Sequence, residues 1–87
     1  MQKNTVQEIM QTPFYTIEVP IIEEHGSFFF ENINNENIIN WETVLFLAKK
    51  HKTATEAKKV LNKLKKTSDP FIGMAKIIER FNFETLK

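Results

Sequence analysis

Cysteine is absent from the chain, glycine occurs twice, proline three times, and Arg80 and Asp69 are the sole arginine and aspartate. Each shortage excludes something. Without thiols there is no disulfide framework and no thiolate zinc site, and the expected compartment is a reducing one, the cytoplasm. So few glycines and prolines rule out a flexible low-complexity linker. The longest apolar stretches, Phe28 to Phe30 and Val44 to Ala48, fall far short of the roughly 20 residues a membrane helix requires. Met1 to Thr5 has no apolar run behind it, so a signal peptide is not expected. A single arginine makes the bidentate fork that reads guanine scarce.

What is present is charge, unevenly placed. Residues 1–48 carry one base, Lys3, against seven acids, whereas residues 49–87 carry eleven bases against four acids, so a formal net charge of +1 conceals halves of about −6 and +7. Such polarity favours partner binding through charge and adds little to folding. Lys, Asn, Ile and Phe make up 37 of the 87 residues, a usage expected of an AT-rich genome and compatible with a bacterial, phage or plasmid source. At 87 residues the chain is read as one domain, acidic over 1–40 and basic over 41–87, burying roughly 60–65% of its unfolded surface.

Local signals predict an α+β fold: a short N-terminal helix, a β-hairpin, then three amphipathic helices packed on one face of the small sheet. Thr5-Val6-Gln7-Glu8 matches a capping box, with the helix ending before Pro13. Tyr15, Ile17, Val19 and Ile21 alternate with Thr16, Glu18 and Pro20 as in a half-buried strand, and Pro20 predicts an edge strand or a bend. A turn through Glu23-Glu24-His25-Gly26-Ser27 leads to a returning strand over Phe28 to Ile33. Asn40 predicts the start of a second helix presenting Trp41, Val44, Leu45 and Ala48. Thr53-Ala54-Thr55-Glu56 caps a third, running to about Lys66 with Ala57, Val60, Leu61 and Leu64 inward. Asp69-Pro70 opens a fourth carrying Phe71, Met74, Ala75, Ile78 and Phe81.

The candidate binding residues are eight lysines between positions 49 and 66, namely Lys49, Lys50, Lys52, Lys58, Lys59, Lys63, Lys65 and Lys66, accompanied by one acid, Glu56. Lysine offers point-charge attraction to phosphate, which gives affinity with little sequence readout. The plain competing explanation is that any amphipathic helix has a charged, solvated face. Leu45 through Ala57 reads as an αα-hairpin, with a helix-turn-helix as the alternative; Lys52 stands where a glycine is usual. A stacking platform on Phe14, Tyr15 and Phe28-Phe29-Phe30 is opposed by neighbouring glutamates, and these rings are expected in the core. Three consecutive Phe cannot share one face of a strand. Glu23, Glu24 and His25 are adjacent in a turn and poorly spaced for a metal, Ser27 and Ser68 lie in turn-like segments, and only two histidines could act as base, so neither metal, cofactor nor enzymatic activity is expected.

The expected function is that of a small non-enzymatic accessory protein binding nucleic acid, RNA ahead of non-specific DNA, through the lysine-rich helix. The alternative is a small inhibitor or antitoxin-like module that docks on a protein through its acidic hairpin. Complementary halves also permit a homodimer.

Overall fold

The computed structural model of the chain describes residues 12–21 and 26–81. Strands β1 (Pro13–Ile21), β2 (Gly26–Ile33) and β3 (Ile39–Glu42) are followed by a 3-10 turn at Leu45–Leu47, helix α1 (Ala54–Leu64), a second 3-10 turn at Ile72–Met74, and β4 (Lys76–Phe81). The strands form one antiparallel sheet in the order β3-β2-β1-β4. The chain thus meanders outward through three strands, crosses the sheet in α1 and returns to pair with the open side of β1.

This architecture corrects the expected three helices on a hairpin. Among the described residues there is one α-helix, and the sheet has four strands rather than two. The segment expected as a helix from Trp41 is a strand and a 3-10 turn: Trp41 lies opposite Phe30 across the β2–β3 pair, their rings 6.4 Å apart edge to face. The segment expected as a helix from Asp69-Pro70 is a 3-10 turn and a strand. Asp69 Oδ1 accepts the Phe71 N–H at 2.8 Å in a local turn ahead of it and does not cap a helix, and regular helix never follows because β1 offers Lys76 to Phe81 a complete ladder. With a 3-10 turn and extended chain in place of a helix over Leu45 to Lys52, the segment Leu45 to Ala57 is neither the expected αα-hairpin nor a helix-turn-helix. The helix expected from Thr5 and the turn at Glu23 to His25 lie outside the described residues, and Gly26 and Ser27 belong to β2.

The edge expectation for β1 is also corrected: β1 is central, paired to β4 over residues 13–18 and to β2 over residues 18–21. Pro20 is tolerated there for a geometric reason. Tyr15 exchanges backbone hydrogen bonds with His51 on the β2 side, so odd-numbered residues direct their amides that way and even-numbered residues toward β4. The position of Pro20 therefore calls for no N–H, since it lies beyond Glu18, the last residue that β4 pairs.

One face of the sheet carries α1. Ile17, Phe30, Ile39, Leu61, Leu64 and Ile72 form its buried core, flanked by Trp41, Val60, Ala75 and Ile77. Each such side chain fully removed from water contributes about 1.5–3 kcal/mol. Trp41 is anchored by its indole N–H, which donates to Asp69 Oδ2 at 3.0 Å. The far face holds Phe14, Thr16, Glu18 and Phe29, all buried, although the alternation placed Thr16 and Glu18 toward solvent. Of the three consecutive phenylalanines, Phe30 belongs to the α1 core, Phe28 by its parity shares that side, and Phe29 lies on the far face beneath the Arg80 guanidinium, 6.0 Å away. Among the described residues no helix is long and apolar enough to cross a membrane.

Candidate nucleic-acid interface

Helix α1 begins as its sequence dictates. Thr53 is the N-cap, its hydroxyl accepting the Glu56 N–H at 3.1 Å, while Glu56 Oε2 reaches back to the Lys52 N–H at 3.1 Å. Ala57, Leu61 and Leu64 turn inward, and this leaves Lys58, Lys59 and Lys63 exposed on the outside of the helix, with Lys65 and Lys66 exposed directly after it. Lys63 in the last turn also complements the negative end of the helix dipole. Among the described residues none of these ammonium groups is in an ion pair; the pair present there is Arg80 with Glu18.

The other three lysines occupy a different place. β1 and β2 pair only near Glu18 to Ile21, and where they part the extended segment Lys49–His51 fills the gap. The Lys49 N–H donates to the Phe30 carbonyl at 2.8 Å, and Tyr15 and His51 exchange both backbone hydrogen bonds at 2.8 Å. Directly paired residues of antiparallel strands share a face, so His51 lies with Tyr15 and Ile17 on the α1 side and Lys50 emerges on the far face. There its Nζ donates to the Phe46 carbonyl at 3.1 Å and sits 5.7 Å from the Phe14 ring centroid and 5.8 Å from that of Phe46. The eight lysines singled out from the sequence are therefore not one surface. Lys58, Lys59 and Lys63 lie on the outside of α1, Lys65 and Lys66 follow directly after it, Lys49 belongs to the inserted segment, and Lys50 and Lys52 line a cleft of about 470 Å³ with Thr12, Pro13, Phe14 and His51.

His51 is 6% exposed, and its Nε2 is buried without a hydrogen-bond partner. Burial, reinforced by the nearby Lys49 charge and opposed by Glu56, lowers its pKa below the ordinary histidine value. At the opposite side of the sheet the far face is acidic: the Asn40 amide donates to Glu31 Oε2 at 3.0 Å and to Glu42 Oε1 at 3.2 Å. The hydrogen bond with Glu42 raises the Glu31 pKa, burial and the Glu42 charge adding to it. Tyr15 is raised as well, chiefly by donating its hydroxyl hydrogen bond to Glu79 at 3.1 Å.

The stacking platform considered on the hairpin does not form, because Phe14, Phe29 and Phe30 are buried and Phe28 packs against Phe71 at 5.4 Å. Phe46, which the periodicity did not single out, is the most exposed large hydrophobic side chain among the described residues, at 67%. Its one sequence signal was its place between Leu45 and Leu47 immediately before Lys49-Lys50. No protein-family model, curated protein or solved structure matches the chain.

Proposed function

We propose that this chain is a non-enzymatic nucleic-acid-binding protein that meets the phosphate backbone, of RNA or of DNA without regard to sequence, with the outer face of α1. One observation carries the reading: three exposed lysines on a helix of 11 residues and two more, Lys65 and Lys66, directly after it, none ion-paired among the described residues. Such a helix is about 16 Å long at 1.5 Å per residue, so its positive charge is dense enough to neutralise several consecutive phosphates. The ammonium heads are point charges on flexible stems, suited to backbone contact and poorly suited to base readout. The lone arginine does not alter this, since its guanidinium is engaged with Glu18 in a bidentate pair at 2.7 and 2.9 Å.

The test is affinity for generic RNA and duplex DNA across a salt series. Each neutralised phosphate contributes about 0.7 to 0.9 to the log–log slope, so the wild-type slope is expected at about −3 or steeper. Changing Lys58, Lys59, Lys63 and Lys66 together to Gln is expected to flatten that slope by about three and to weaken low-salt binding more than tenfold. Unchanged binding by this variant sinks the reading. A small inhibitor or antitoxin-like protein, docking through the exposed Ile33 and Ile38 of the β2–β3 hairpin, then becomes the better account.

A further inference from the structure

The cleft lined by Lys50 and Lys52, together with the Phe46 ring beside Lys50, combines features the phosphate-binding reading leaves unused. Phe46 is an aromatic ring held outward on a short 3-10 turn with two-thirds of its surface in water, beside the exposed Val44 and Leu47. A ring so placed contributes little to a core and offers a free π-face. The Lys50 ammonium is held beside it by three contacts, the Phe46 carbonyl and the two flanking rings, and an ammonium has three N–H donors, of which the carbonyl takes one. Lys52 lines the same cleft, and no acidic residue does. His51 contributes to its wall, while the imidazole is turned to the α1 side and takes no part in the subsite. Two cations in a cleft free of acids, and an exposed aromatic ring beside one of them, are complementary to a planar base joined to a phosphate.

We propose that this cleft and the Phe46 ring beside it form a subsite for one unpaired nucleotide, the base stacking on Phe46 and its phosphate meeting Lys50 and Lys52. This rests on the reading of α1 as a phosphate-binding face and narrows its ligand to single-stranded nucleic acid. Two arguments exclude a duplex from the subsite. The π-face of a paired base is covered by its neighbours in the stack and cannot reach a protein ring. The cleft also opens on the far side of the sheet from the α1 lysines, a separation that a flexible strand can follow around the molecule and a stiff duplex cannot.

The experiment compares wild type with Phe46→Ala, Phe46→Leu, Phe46→Trp and Lys50→Gln on oligoadenylate RNA, oligodeoxyadenylate DNA and a duplex of equal length, over a salt series. Phe46 is exposed, so the variants are expected to melt with the wild type. Loss of one stacked base weakens single-strand binding about 5- to 150-fold, so Phe46→Ala and Phe46→Leu are expected to fall in that range with an unchanged salt slope. Duplex affinity stays constant, Phe46→Trp restores single-strand binding, and Lys50→Gln flattens the single-strand slope by about one. Wild-type single-strand affinity in Phe46→Leu, equal losses on duplex and single strand, or no rescue by Phe46→Trp overturns the subsite. If in that case the α1 lysine variant still loses binding, the phosphate-binding face survives; if wild type binds none of the three probes, both fall. A preference between the RNA and DNA probes identifies the sugar the subsite accepts.

Discussion

At the scale of single residues, Glu18 and Arg80 explain why the far face of the sheet defied the alternation. Glu18 is 3% exposed, and a carboxylate so placed is tolerated because Arg80 grips both oxygens while the Thr16 hydroxyl donates to one of them. Nothing local in the sequence announces this, because the partner lies 62 positions away. His51 was likewise illegible: an isolated histidine in a lysine run reads as solvated until its backbone is seen to bridge to Tyr15. Its lowered pKa has a definite sign. The unfolded chain takes up a proton near the ordinary value of 6.5 while the folded chain resists, so the stabilising contribution is complete above that value. It is lost as the pH falls from 6.5 through the lowered value. Urea midpoints at about pH 7.5 and about pH 5.5 should separate further for wild type than for His51→Gln, and equal separations would contradict this account.

Elements were legible where the signal was local and chemical. The Thr53–Glu56 cap and the stripe of Ala57, Leu61 and Leu64 follow directly from α1's sequence, and both strands of the first hairpin stand close to where alternation put them. Helical spacing misled at Trp41 to Ala48 and at Phe71 to Phe81, because apolar residues three and four apart also arise when a short 3-10 turn abuts a strand. The composition pointed the other way: Trp41, Ile77, Ile78 and Phe81 favour strands, and Gly73 interrupts the second stretch. Two strands cannot stand alone, and the extra pairs that completed the sheet come from these two segments. For the cap, Thr53→Ala should cost about 1 kcal/mol, lowering the melting temperature by about 4–8 °C for a domain of this size. Thr53→Asp should hold the wild-type value, since a carboxylate can take the same amide and favours a helix N-terminus. A melting temperature indifferent to Thr53→Ala would mean that packing alone holds α1.

On the scale of the whole molecule, the charge polarity of the sequence does not become two lobes. β4, from the basic half, is hydrogen-bonded to β1 of the acidic half, and Lys49–His51 is inserted between two strands of that same half. The lysines of α1 are segregated, whereas Arg80 and Lys50 are drawn into the far face. The pairing of β1 with β4 has a temporal side as well. As the chain is synthesised, β1 emerges before β4, and the ladder along residues 13–18 waits for Lys76 to Phe81 to follow. Until then its apolar alternation and unpaired amides form an open template for other chains, and closing the ladder carries the loop entropy of joining residues some sixty apart. A chain stopped at Ala75 keeps the hairpin and α1 but should neither melt cooperatively nor remain monodisperse, and a sharp thermal transition from such a fragment would refute this. Added in trans as a peptide, residues 76–81 should be captured by that vacant edge, making the start of β4 a natural point for splitting the protein into two chains that report on each other's presence.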